Sequence, residues 1–293
     1  MSPRYFKETE RSLRVDIMPA LGAARPLGAV TRRHIREALG AMVARDCAPA
    51  ADHALRYVRA LLGWAVREEL ITDNPALRIP SPDPRKPQDR ERSRHLGAEE
   101  IPSFWRACEE CGPVFGPYLR LLLLTAARRT ELAHATWQEI DLDRRIWTLP
   151  AARSKNRQEH LIHLSPLAVE LLEALPRMAG CPFVFSTTGT APIGNFGQTA
   201  ARLRAVMPDV SHFGLHDLRR SAATLMAEDL RVAPHVVDKI LNHVNGTIRG
   251  VAAIYNKSQY LPERAAALDA LGRYIESLVR PTTPNIVELA AAR

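Results

Sequence analysis

The chain has 293 residues, of which 46% are hydrophobic and 25% charged, and carries a net charge of +8 with four cysteines. That length predicts about two domains, each with ample core. A bilayer span needs a run of ~20 apolar residues, and the sequence contains none. The basic balance points to a polyanionic partner, most strongly in residues 1–94, which hold 18 Lys+Arg against 12 Asp+Glu.

Residues 1–80 read as helices only. A helix is expected over 27–39, with Leu27, Val30, Ile35 and Leu39 on one face and Thr31 as a cap before Arg32, Arg33 and Arg36. Another is expected over 53–70. There Leu55, Val58, Leu61, Leu62, Ala65 and Val66 repeat close to helical spacing, and Arg56, Arg59 and Arg67 form the opposite face. Thr72-Asp73-Asn74-Pro75 then stops the helix. Prolines 80, 82, 84 and 87 forbid a packed element over 79–94, so residues 81–94 are expected to be an extended basic linker, with Arg85 and Lys86 suited to a phosphate backbone.

A second domain is expected over 95–280 and a tail over 281–293. Helices are read from 99–105 and 118–124, short strands at 145–150 and 160–165, a helix at 167–174, a short apolar strand at 183–185, and helices from 214 onward. Arg153, Lys155, Asn156 and Arg157 occupy the turn between the first two strands. The expected class is mainly α with a small antiparallel β-sheet in the C-terminal domain. Cys108-Glu109-Glu110-Cys111 has CxxC spacing, but no second pair follows at zinc-finger spacing, so it reads as packing. Scattered cysteines fit a reducing cytosol. The N-terminus carries charge where a signal peptide needs an apolar core.

The chemistry lies further along the chain. His216 and Arg219, three apart, share one helix face and can reach the same anion. His243 and Tyr255 follow twelve residues apart. A phosphodiester gathers charge on its non-bridging oxygens in the transition state, and guanidinium pairs meet those oxygens while staying ionised. Arg128, with Glu131 one turn on as a buttress, is the second such candidate. A phenol has a pKa near 10 and needs a base or a cationic site to become a nucleophile. His216 and His243 can supply the base and a hydrogen bond to phosphate. Lys155, on its hairpin turn, can protonate the departing oxygen. Tyr260, five residues beyond Tyr255, is the competing phenol.

Taken together and in this order, these segments resemble the tyrosine recombinases, in particular the integrases of temperate phages and genomic islands. Residues 121–132, with Arg128, resemble the first arginine box. Lys155 with 160–165 resembles the lysine hairpin, 216–220 the second box, and Leu241-Asn242-His243 with Tyr255 the third. The resemblance implies a helical core-binding domain plus a tyrosine-recombinase catalytic domain, clamping double-stranded DNA. It implies that Arg128 and Arg219 bind the scissile phosphate, Lys155 is the general acid, His216 is base or phosphate ligand, His243 hydrogen-bonds the phosphate, and Tyr255 forms the 3′-phosphotyrosyl bond. No cofactor, metal or ATP is expected. DNA contacts are expected from Arg32, Arg33, Arg36, Arg56, Arg59, Arg85, Lys86, Arg153, Arg157 and Arg220.

The same resemblance implies a tetramer on DNA through the C-terminal segment, where Leu268, Leu271, Ile275 and Leu278 recur before Ile286, Val287 and Leu289. It also implies an accessory DNA-bending protein and a cytoplasmic, nucleoid-associated location. Two positions depart from the family pattern: Ala126 and Asn242 stand where glycine is usual or frequent. The family often adds an N-terminal arm-binding domain. This chain begins almost directly with the core-binding helices, leaving open a short natural form or a fragment. A catalytically silent DNA-binding protein on the same scaffold and a type IB topoisomerase are the alternatives. A metal-dependent nuclease is disfavoured, because no carboxylate cluster accompanies the histidines.

Overall fold

The computed structural model describes residues 3–22, 24–85, 94–243 and 259–280. It divides into two compact units, Met1–Arg92 and Ser93–Arg293.

In the first unit α1 (Pro3–Ser12) passes through a π-helical turn, Leu13–Ile17, into α2 (Met18–Leu21), which ends at Gly22 with φ +82°. Thr31 caps α3 (Arg32–Val43). Its hydroxyl accepts from the His34 amide, and His34 Nδ1 accepts from the Thr31 amide at 3.2 Å. The expected helix over 27–39 is thus split: Leu27–Ala29 form one 3₁₀ turn and the α-helix begins only after Thr31. α4 (Ala48–Arg67) begins five residues earlier than the periodicity suggests, because its first turn is alanine-rich and opens with Pro49. Ile35, Ala38, Leu39 and Met42 of α3 pack against Ala51, Ala54, Leu55, Val58 and Leu62 of α4.

The chain leaving α4 is tied back to it. Arg59 Nε donates to the Ala76 carbonyl at 3.2 Å and Nη2 to that of Ile79, while Asn74 Nδ2 donates to the Arg59 carbonyl at 3.0 Å. Residues 81–85 also lie against this unit rather than extending away from it. Asp83 is buried, the Ser81 hydroxyl donates to Asp52, and Arg85 pairs with Asp83. Residues 86–93 of the expected linker, Lys86 included, and the tail 281–293 fall outside the described residues, and Arg94 pairs with Glu100 of the second unit.

In the second unit α5 (Ile101–Ala107) leads into α6 (Gly112–Thr125), whose Leu119 and Leu121 to Leu124 are all buried. A helix apolar on every side belongs at a domain centre, and α6 occupies that place. Cys108 and Cys111 are buried between these helices. After α7 (Arg129–Ala133) comes a three-stranded antiparallel sheet in the order β1 (Ile140–Asp141), β2 (Ile146–Leu149), β3 (His160–His163), with Trp147 opposite Ile162. The apolar segment 183–185 is not a strand of this sheet. It makes a single bridge, Phe183 to Thr136, and its apolar side chains Val184 and Phe185 are core filling.

Then follow α8 (Pro166–Glu173), α9 (Phe196–Ala205), α10 (Asp217–Thr224), α11 (Pro234–Ile240) and α12 (Leu261–Val279). α12 crosses close to the start of α8 at Gly272, where a Cβ would come within 2.5 Å of Ser165 Oγ. Asp269 holds it to the sheet through His163 Nε2 at 2.9 Å and Arg145 Nη1 at 3.3 Å. Leu268, Leu271 and Ile275 are buried in the core of their own unit, while Ile286, Val287 and Leu289 of the expected docking segment lie outside the described residues. Among the described residues no helix is long and apolar enough to cross a membrane.

Candidate active site

Four segments distant in sequence converge: the α6–α7 junction, the β2–β3 loop, the start of α10 and the end of α11. The first is set by backbone conformation. α6 ends at Ala126, which is fully buried and left-handed at φ +50°. A non-glycine residue there costs about 1–2 kcal/mol. The turn it makes frees the Ala126 carbonyl to accept from Arg219 Nη1 and brings Arg128 to the cap of α7.

Arg128 reaches two ways, Nη1 to Glu131 Oε1 at 3.0 Å and Nη2 to the Asn242 carbonyl at 3.0 Å. Glu131 is buried, and the same Oε1 accepts the Lys155 backbone amide at 3.1 Å, which pins the hairpin loop to α7. Arg219 is 6% exposed and donates from Nη2 to the Leu241 carbonyl. Burial, then repulsion from Arg128, pulls its pKa down to about 10, so it stays ionised at neutral pH. Arg128 pairs with the Glu131 carboxylate while Arg219 donates only to backbone carbonyls, which leaves a net positive neighbourhood suited to an anion.

The loop and the third segment are clasped together. Asn156 Nδ2 donates to the Asn242 carbonyl and to Asn242 Oδ1, and Asn242 Nδ2 donates to Ser154 Oγ at 3.3 Å. Asn242 itself is left-handed at φ +48°, a conformation asparagine tolerates far better than most residues. The neighbouring His243 is half exposed, with Nδ1 3.2 Å from Asp238 Oδ1. His216 caps α10 at the rim. Burial and the Arg219 and Arg220 guanidiniums hold its pKa below the usual 6.5, so the ring is neutral at pH 7 and available as an acceptor. The Lys155 side chain is exposed. Tyr260 stands at the cap of α12 with its ring 4.8 Å from that of His235. Tyr255 lies outside the described residues.

The geometry therefore brings Arg128, Lys155, His216, Arg219 and His243 into one connected neighbourhood. The expected DNA-contact arginines sort differently. Arg32, Arg33 and Arg36 are exposed along α3, with Arg33 paired to Glu37 at 2.8 Å; Arg56 is exposed and paired to Asp52 at 2.8 Å. Arg157 is exposed on the hairpin loop, and Arg220 pairs with Asp217 at 2.6 Å. Arg59 and Arg153 turn inward: the first straps the exit from α4, the second pairs with Glu139 and donates to the Glu131 carbonyl at 3.0 Å. Sequence reading missed Asn156 as a site residue and treated Asn242 only as a departure. Neither carries a local signal, since their partners lie more than 80 residues away. Among the described residues there is no group of three or more His, Cys, Asp or Glu able to hold a metal ion.

The family described as "Phage integrase family" matches residues 94–261. The chain is 31% identical to the prophage integrase IntZ of Escherichia coli (strain K12) over 95% of its own length and 68% of that protein. It is 25% identical to the integrase of Shigella phage Sf6, over 94% of the chain and 71% of the relative. Against the prophage integrase IntA of the same Escherichia coli strain the identity is 27%, over 89% of the chain but 62% of the relative, so the chain spans only about two thirds of such relatives. Among solved structures, a lambda integrase (75–356) dimer bound to a COC′ core site superimposes with a TM-score of 0.67 at 17% identity, covering 85% of this chain and 91% of that one. The Tn1549 transposon integrase in complex with circular intermediate DNA gives 0.65 at 17% identity, covering 84% and 87%. These two share the fold. With a family match over more than half its length and a relative above 30% identity along nearly all of it, the chain belongs to the phage integrase family.

Proposed function

We propose that this protein is a site-specific DNA recombinase that cuts and rejoins strands through a 3′-phosphotyrosyl intermediate, integrating or excising a mobile element. The observation that carries this reading is the pair Arg128 and Arg219, which donate to the adjacent carbonyls of Asn242 and Leu241, with one carboxylate, Glu131, paired to Arg128. Such a pair stabilises the negative charge that develops on a phosphodiester's non-bridging oxygens.

In the proposed step the Tyr255 phenol oxygen attacks the scissile phosphorus. The phosphorus–tyrosyl oxygen bond forms and the phosphorus–5′ oxygen bond breaks. His216, neutral at pH 7, takes the phenol proton, and Lys155 gives a proton to the departing 5′ oxygen. His243 donates a hydrogen bond to the phosphate. Rejoining runs the same path backward with a 5′ hydroxyl of another strand as nucleophile. The phosphotyrosyl bond conserves the free energy of the broken one, so ATP is not needed.

The proposed substrate is double-stranded DNA, with Arg32, Arg33, Arg36 and Arg56 on the first unit and Arg157 and Arg220 on the second as phosphate contacts. The lambda integrase tetramer solved on a Holliday junction supports a tetrameric assembly as the working form, and an accessory DNA-bending protein and a nucleoid-associated, cytoplasmic location go with that substrate. The test is incubation with a nicked suicide duplex spanning the ends of the encoding element, in EDTA. A covalent protein–DNA adduct is expected. Its absence, with the duplex bound, would leave the silent DNA-binding reading in place; relaxation of plasmids lacking the site by a monomer would favour the topoisomerase.

A further inference from the structure

Arg264 stands where a cation is least favoured. It is 4% exposed, its Nε has no hydrogen-bond partner, and no carboxylate of the described residues lies within ion-pair distance. It also occupies the first turn of α12, the positive end of the helix dipole. Burial alone pulls its pKa down to about 10. An apolar side chain would fill this space without those costs.

Its contacts show what the guanidinium connects. Nη2 donates to the Leu161 carbonyl of β3 and lies 3.4 Å from His160 Nδ1, while Nη1 donates to the Gln259 carbonyl at 3.3 Å. The His160 ring is buried, and its Nε2 donates to the Ile240 carbonyl at 3.1 Å, which leaves Nδ1 as the acceptor facing Arg264. Ile240 directly precedes Leu241 and Asn242, whose carbonyls accept Arg219 and Arg128. Gln259 is four residues beyond Tyr255. Arg264 thus holds Gln259 to β3 directly, and His160 of the same strand, which faces Arg264, holds Ile240, so the two residues flanking His243 and Tyr255 in sequence share one anchor.

We propose that Arg264, acting through His160, is a positioning residue of the phosphoryl-transfer site: it fixes Ile240 and Gln259, which flank the stretch of sequence carrying His243 and Tyr255. This rests on the recombinase reading above. It acts on the geometry of the reacting groups and not on the stability of the domain, and the two roles separate experimentally.

Arg264→Met keeps most of the volume and removes the charge and its donors. Relief of the buried, unpaired charge offsets the loss of its donors to the Leu161 and Gln259 carbonyls. The thermal midpoint is therefore expected within a few degrees of the wild type, and the DNA Kd within about twofold, because phosphate contacts are untouched. The rate of covalent capture of the nicked suicide duplex should fall by roughly 10- to 100-fold, the scale on which a 1 Å misplacement acts. His160→Leu removes the ring that joins Arg264 to Ile240 while keeping the guanidinium and its bonds to the Leu161 and Gln259 carbonyls, and is expected to slow capture in the same direction. Wild-type capture in either folded variant, or a loss that merely follows the unfolded fraction, overturns the proposal. If the wild-type protein itself forms no adduct, the recombinase reading fails instead. The positioning claim is then read from amide exchange at Leu241 and Asn242, whose amides bond to the Val237 and Lys239 carbonyls. Exchange in Arg264→Met should be at least about tenfold faster there than in the wild type while Leu122 is unchanged, and equal rates overturn the claim.

Discussion

Glu131→Gln removes one negative charge from the centre of the site and keeps its shape. The carboxylate is 7% exposed, and its Oε1 accepts from Arg128 at 3.0 Å and from the Lys155 amide at 3.1 Å. A hydrogen bond to a charged group contributes about 1.5–3 kcal/mol, against about 1 kcal/mol for a neutral one. The glutamine oxygen still accepts, so the loss is smaller than the roughly 3–5 kcal/mol of a broken buried pair. Arg128 would lose its charged partner, and its repulsion with Arg219 would be offset by backbone carbonyls alone. The expected cost is about 2–3 kcal/mol in urea unfolding of the second unit, followed by near-UV signals of Trp105, Trp137 and Trp147. Inorganic phosphate supplies the missing negative charge, so it should stabilise the variant more than the wild type. A cost below about 0.5 kcal/mol, or equal phosphate stabilisation of both proteins, would show that Glu131 is not the counter-charge of this anion site.

Ala126→Gly and Asn242→Gly both restore the residue usual in the family, and opposite outcomes are expected. At Ala126 relief of the left-handed backbone, about 1–2 kcal/mol, is partly cancelled by losing a buried methyl worth about 0.8 kcal/mol, so the change is neutral to mildly stabilising in urea unfolding. At Asn242 glycine loses the side-chain bonds to Ser154 and Asn156, and a cost of about 1–2 kcal/mol is expected. His160 gives a pH dependence. Burial, followed by the Arg264 charge, lowers its pKa from 6.5 to about 4, so it binds a proton later than the unfolded chain does. Stability is unaffected above pH 6.5 and falls as pH drops from 6.5 to 4, by up to about 3 kcal/mol. His160→Leu should flatten that part of a urea-midpoint profile.

Spacing within one element was legible in the sequence, and contact between elements was not. His216 and Arg219, or Arg128 and Glu131, are neighbours because a helix makes them so. The clasp of Asn242 by Ser154 and Asn156, and the tie from Arg264 to β3, join residues 86 to 103 positions apart, with nothing local to mark them. For the same reason Arg59 and Arg153 looked like surface charge until their partners, the Ile79 carbonyl and Glu139, were in view. β1 has two residues, too few to show a period of two. The apolar run at 183–185 misled in the other direction, since core filling and a buried strand look alike at that length. Ala126 was visible only as a departure from the family. Its left-handed φ explains why glycine suits that position.

The assignment of the nucleophile is the claim on which the proposed chemistry turns. Covalent capture of a nicked suicide duplex by the wild type, Tyr255→Phe and Tyr260→Phe tests it in one gel. Adducts are expected with the wild type and with Tyr260→Phe, and none with Tyr255→Phe, although all three bind the duplex. An adduct with Tyr255→Phe would contradict it.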